Sequence, residues 1–148
     1  DRFALQFSLG YISKQEEIEI LSNQIQQHPI HEIRPCISIE EIFTLKQQVK
    51  QVRVSPELKG YVVDIVNATR HAEGVQLGAS PRGSIALMKI AQALALFDGY
   101  EFVLPEHIRE IAVPAIAHRL VMEPQARFSG RTAENVVKEI LNTIPVPA

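Results

Sequence analysis

Gly78-Ala79-Ser80-Pro81-Arg82 opens the most apolar stretch of this chain, and the order of its residue types is that of a helix start. Ser80 suits the N-cap, where its hydroxyl can accept from a free first-turn N–H. Pro81 suits N1, where its missing N–H costs nothing and its φ is already helical. Arg82 then falls at N2, where the aligned peptide dipoles disfavour a cation by about 0.3 kcal/mol or more. Two readings account for it. Either an anion shares the site, since a helix N-terminus attracts phosphate or carboxylate, or the guanidinium snorkels toward a nearby Asp or Glu.

The helix that follows, predicted over residues 80–98, is apolar on nearly every side. Ile85, Met88, Ala91 and Ala95 fall on one stripe and Leu87, Ile90, Leu94 and Phe97 on another. A helix apolar all round is expected at the centre of its fold, and Gly99 stops it. Upstream, Ser13-Lys14-Gln15-Glu16 and Ser38-Ile39-Glu40-Glu41 are capping boxes. The first leads into Ile18, Leu21 and Ile25, the second into Ile42, Leu45 and Val49, and residues 28–37 between them read as extended. Ser55-Pro56-Glu57 opens a helix whose Leu58, Tyr61, Val62, Ile65, Val66 and Thr69 follow helical spacing.

Downstream, Pro105 starts another helix, which Pro114 is expected to break or kink by removing a backbone donor. A last helix spans residues 132–143, with Val136, Val137, Ile140 and Leu141 on its apolar face. Residues 3–9 alternate in part and end at Gly10, which predicts a strand. The fold class is therefore mainly α, a helical bundle preceded by one short β-strand. One strand makes no sheet, and the chain begins at Asp1 without an initiator Met, so the expectation is a piece of a larger protein whose sheet lies upstream.

The chain has 148 residues, 46% hydrophobic and 22% charged, with a net charge of −2. That composition is globular, and the charge argues against a broad nucleic-acid footprint. No apolar run approaches a membrane span. A lone cysteine, Cys36, excludes an internal disulfide framework and points to a reducing, cytoplasmic setting. No Gly-x-x-x-x-Gly-Lys phosphate loop is present. His28, His31 and Cys36 lie close in sequence but match no standard zinc spacing, so no metal site is expected.

Three stretches resemble the MoxR family of AAA+ ATPases: Asp1-Arg2-Phe3 running into Leu9-Gly10-Tyr11, then Leu77-Gly78-Ala79-Ser80-Pro81-Arg82, then Ala117-His118-Arg119-Leu120. The ending Ile144-Pro145-Val146-Pro147 is also similar, and the likeness covers essentially the whole chain. It implies that residues 1–12 end the ATPase core and residues 13–148 form the helical lid. It further implies that Arg2 resembles an arginine finger reaching ATP on a neighbouring subunit. Arg82 resembles the sensor-2 residue of the lid, with Gly78, Ser80 and Pro81 shaping its loop. Guanidinium suits both roles, because its fork of donors matches phosphate oxygens. Arg70 and Arg119 read as structural.

The resemblance also implies ATP and Mg2+ as cofactors of the intact protein. Its partners would be an upstream AAA+ core, neighbouring subunits of a ring, expected to be a hexamer, and a client protein that the residues do not name. Walker A and Walker B segments would lie before Asp1, so this chain alone is expected to hydrolyse nothing and to bind no cofactor tightly. The family role is chaperone-like remodelling or maturation of other proteins, including metal-cofactor insertion. The competing reading is a free-standing helical interaction module without nucleotide chemistry.

Overall fold

Both capping boxes form. In the computed structural model, which describes residues 3–25 and 28–147, Ser13 Oγ accepts from the Glu16 N–H at 3.3 Å and Glu16 Oε2 accepts from the Ser13 N–H at 2.7 Å. This starts α1, Lys14–Gln24. Ser38 and Glu41 repeat the exchange at 3.1 and 2.7 Å and lead α2, Ile39–Gln51. Between the two helices, the segment read as extended includes a 3-10 turn, Pro29–Glu32, in which His28 Nδ1 accepts from the Ile30 N–H.

Residues 7–45 form one compact unit; residues 3–6 and 46–147 form another. In the first, α1 buries none of its residues, and Ile18, Leu21 and Ile25 are exposed.

The second unit holds the core. It contains α3 (Pro56–Ala68), β1 (Val75–Leu77), α4 (Pro81–Phe97), α5 (Pro105–Ile116), β2 (Val121–Met122), α6 (Pro124–Phe128) and α7 (Ala133–Thr143). Helix α5 packs against α3, α4 and α7. Leu58, Tyr61, Val62, Ile65 and Val66 of α3 meet Val136, Val137, Ile140 and Leu141 of α7 in one apolar cluster with α5. Fully burying each such side chain stabilises the fold by about 1.5–3 kcal/mol. The chain is mainly α, as its periodicity predicts. Among the described residues no helix is long and apolar enough to cross a membrane.

Four details differ from the sequence reading. Residues 3–9 are non-helical but form no ladder among the described residues; the Gln6 N–H donates instead to Pro114 O at 2.9 Å. The strands that do pair are β1 and β2, antiparallel, with Val75 opposite Met122 and Leu77 opposite Val121. The most enclosed helix is α5, where Ile108, Ala112, Ala115 and Ile116 are fully buried, whereas α4 buries only the face of Gly83, Leu87, Ala91 and Ala95. Gly83, Ala91 and Ala95 on that face are small and admit close approach, and Ile85 and Phe97 are left exposed. Finally, α5 carries on two residues past Pro114 before tightening into a 3-10 turn, Ala117–Arg119. The donor that Pro114 lacks would have gone to the carbonyl of Glu110, an exposed residue, so the helix survives the loss.

The Gly99 stop holds. Its φ is +81°, the Tyr100 N–H donates to Ala95 O and the Gly99 N–H to Leu96 O, the paired bonds of a Schellman end.

Candidate functional site

The loop before α4 is built from the end of α3. Thr69 follows that helix and is fully buried. Its hydroxyl donates to Val66 O at 2.6 Å and accepts from the Ala79 N–H at 2.9 Å. Arg70 Nε donates to Ala79 O at 3.0 Å. Both backbone groups of Ala79 are thus satisfied by adjacent side chains of one turn, and Ala79 itself is buried. Arg70 thus braces the loop backbone.

Ser80 takes the N-cap with extended backbone (φ −81°, ψ 168°), but its hydroxyl makes no capping bond. The cap is conformational, and the Gly83 N–H closes a tight first turn on Ser80 O at 2.7 Å. Pro81 occupies N1, as expected. Gly83 is buried: a Cβ there would lie 3.3 Å from Ala79 Cβ, 3.4 Å from Ile116 Cδ1 and 3.6 Å from Arg119 Cδ. The start of α4 therefore rests on the end of α5 and on the stem of Arg119.

Arg82 is exposed at N2. Among the described residues it has no carboxylate within ion-pair distance. Its electrostatic neighbour is another cation: burial first, and then the charge of Arg82, lowers the pKa of Arg119. Two guanidinium groups near the positive end of a 17-residue helix make a field suited to an anion. Nothing among the described residues gathers three or more His, Cys, Asp or Glu side chains into a metal cluster.

Arg119 lies at the centre of this arrangement. Its Nε donates to Ala115 O at 2.7 Å, and a terminal nitrogen donates to Phe3 O at 2.7 Å. His118 faces Pro114 O at 3.1 Å and Phe3 O at 3.2 Å through its two ring nitrogens. The stretches around residues 3, 82 and 119, far apart in sequence, thereby converge. Arg2 lies outside the described residues.

The remaining conspicuous side chains have other work. His107 is buried, with Nδ1 accepting from the Leu104 N–H at 3.0 Å and Nε2 beside Asp98 Oδ2 at 3.3 Å. That arrangement places the proton on Nε2 and ties the start of α5 to the end of α4. Arg109 donates to Leu141 O at 2.6 Å and to the Tyr61 hydroxyl at 3.2 Å, linking α5, α7 and α3. Cys36 is free and exposed.

Comparison with known proteins agrees with this architecture. The family described as "AAA lid domain" matches residues 67–140. The uncharacterized protein YeaC of Bacillus subtilis is 44% identical over 147 residues, covering 99% of this chain and 46% of that protein. Chaperone MoxR1 of Mycobacterium tuberculosis is 31% identical over 156 residues, covering 99% of this chain and 41% of that protein. A crystal structure from Cytophaga hutchinsonii, provisionally described as an ATPase, superposes with a TM-score of 0.83 at 26% identity, covering 99% of this chain and 47% of that one. The chain thus spans less than half the length of each of these relatives. With residues 67–140 spanning the Arg82 loop and all of α4 and α5, the chain belongs to the AAA lid domain family and is a MoxR-like AAA+ lid.

Proposed function

We propose that this chain works as the lid of a MoxR-type ATPase, with Arg82 as the residue that senses the terminal phosphate of ATP. The observation that carries the proposal is the exposed Arg82 at the α4 N-terminus, beside Arg119 and without a carboxylate partner among the described residues. A cation placed against both a helix dipole and a second cation is locally unfavourable, and an arriving phosphate reverses both terms. The residues present fit a triphosphate in that sense. Bound there, ATP would supply the phosphoryl group, while Mg2+ would be held by segments outside this chain.

Within this proposal Gly78, Ala79, Ser80 and Pro81 aim the start of α4, and Arg82 supplies a fork of donors for phosphate oxygens. An aligned arginine stabilises the charge of phosphoryl transfer by several kcal/mol. Arg2 serves as a finger toward a neighbouring subunit of a ring. The chain divides near residue 12 between core and lid, in a cytoplasmic, chaperone-like remodelling protein. Assaying ATP hydrolysis by the full-length protein with Arg82→Ala tests this reading, and normal turnover would end it.

A further inference from the structure

The contact between residues 3–4 and the end of α5 is the most heavily bonded feature that the sensor role leaves unexplained. Arg119 reaches Ala115 O, Phe3 O and, at 3.5 Å, Ala4 O. The two ring nitrogens of His118 lie 3.1 Å from Pro114 O and 3.2 Å from Phe3 O, and the Gln6 N–H donates to Pro114 O. On its other side the Arg119 stem lies under Gly83, one residue beyond Arg82. One side chain thus bonds the backbone of residues 3–4 and lies beside Gly83 in the turn that carries Arg82.

We propose that Arg119 is a positioning residue that locks the backbone of residues 3–4 to the helix start bearing Arg82, so that Arg82 is held in place for hydrolysis. The inference rests on the lid reading above. The segment at residues 3–6 belongs to the same compact unit as α4 and α5, so the lock operates within a single body. Its planar fork is what permits bonds along two directions from one charge, to Ala115 O through Nε and to Phe3 O through a terminal nitrogen. A lysine has one nitrogen at the end of a flexible stem and cannot hold both carbonyls in that geometry. The pKa of Arg119 is lowered by partial burial first and then by the charge of Arg82, in keeping with a half-buried group near its neighbour.

The test uses the full-length ATPase carrying Arg119→Ala, Arg119→Lys or Arg82→Ala, with kcat, KM for ATP and hydrogen exchange at the Gln6 amide measured well below melting. Arg119→Ala is expected to lower kcat roughly 10- to 100-fold, because misplacement of catalytic groups by about 1 Å costs that much. KM should stay within about twofold, since ground-state nucleotide contacts are kept, and Gln6 should exchange faster. Arg119→Lys, which retains charge and stem packing, should restore stability but not kcat; it carries the test if the alanine variant fails to fold. A raised KM that lysine repairs would make Arg119 a phosphate ligand and overturn the proposal. Unchanged kcat in folded Arg119 variants would leave a structural bond only and also overturn it. Should Arg82→Ala hydrolyse normally, the lid reading itself fails and this inference with it. Loss in Arg82→Ala without loss in either Arg119 variant sinks this inference alone.

Discussion

Gly78 lies directly on the backbone of Arg70: a Cβ at position 78 would sit 2.6 Å from Arg70 Cα, 2.7 Å from Arg70 N and 2.8 Å from Arg70 Cγ. Two of these atoms are backbone and cannot swing aside. The turn after α3 and the loop before α4 pass each other at glycine distance, which lets Thr69 and Arg70 bond both sides of Ala79.

Gly78→Ala should therefore lower stability by about 1–3 kcal/mol, the usual cost of overpacking. Thermal unfolding would register it as a drop of several degrees. The Ala79 amide, whose bond to Thr69 depends on the same approach, should lose hydrogen-exchange protection in this variant before the α7 amides do. A variant as stable as the parent would mean that the loop has room to retreat.

Thr69→Val tests the other half of the same junction. The swap keeps the shape but deletes the acceptor for Ala79 N–H, in a site without solvent exposure. A buried donor left unsatisfied costs about 1–3 kcal/mol. Chemical denaturation should show that loss, and Thr69→Ser, which retains the oxygen, should recover part of it.

The sequence disclosed this architecture unevenly, and for identifiable reasons. Ser13 with Glu16 and Ser38 with Glu41 were legible because a capping box is a local exchange between residues three apart. Gly99 was legible because a left-handed residue after a helix has a strong glycine preference. The β1–β2 ribbon was not, since Val75–Leu77 is three residues long and its partner begins at Val121. Residues 3–9 carried a strand pattern without a strand partner within the described residues. The Arg82 loop stood out by its residue types, whereas the convergence of Arg119 with Phe3 spans 116 positions and depends on packing that no local pattern encodes. The Ser80 hydroxyl shows the reverse error: the right residue for a cap, using its backbone instead.

Acid should loosen the first two helices in a residue-specific way. Ser13 holds Glu16 below the usual glutamate range through its hydroxyl and then its N–H, and Ser38 does the same to Glu41, its N–H first. A folded-state pKa below the unfolded one contributes stability that is present above the unfolded value, about 4.3. That contribution is lost as pH falls through the lower folded value. The Ser13 and Ser38 amides should therefore shift in an NMR titration below about pH 4.3, and Glu16→Gln should abolish the Ser13 response while leaving that of Ser38. A Ser13 amide insensitive to acid would show that the box is not formed in solution.

Arg82→Ala separates a phosphate sensor from a structural arginine, because the two predict opposite signs. In this chain the substitution removes a cation from the positive end of α4 and from the neighbourhood of Arg119. The cap geometry of Ser80, the fit of Pro81 and the apolar face of Leu87, Ala91 and Ala95 all remain. Melting of the chain should therefore hold steady or rise, by an amount equivalent to about 0.3 kcal/mol or more. On the proposed sensor role, the same change in the full-length protein should cut ATP hydrolysis sharply, since it removes the fork assigned to the terminal phosphate. A structural ion pair would give lowered stability of the chain and normal turnover of the whole protein. Melting curves of the two chains and turnover of the two full-length proteins decide between these patterns, and destabilisation with intact hydrolysis would refute the sensor role.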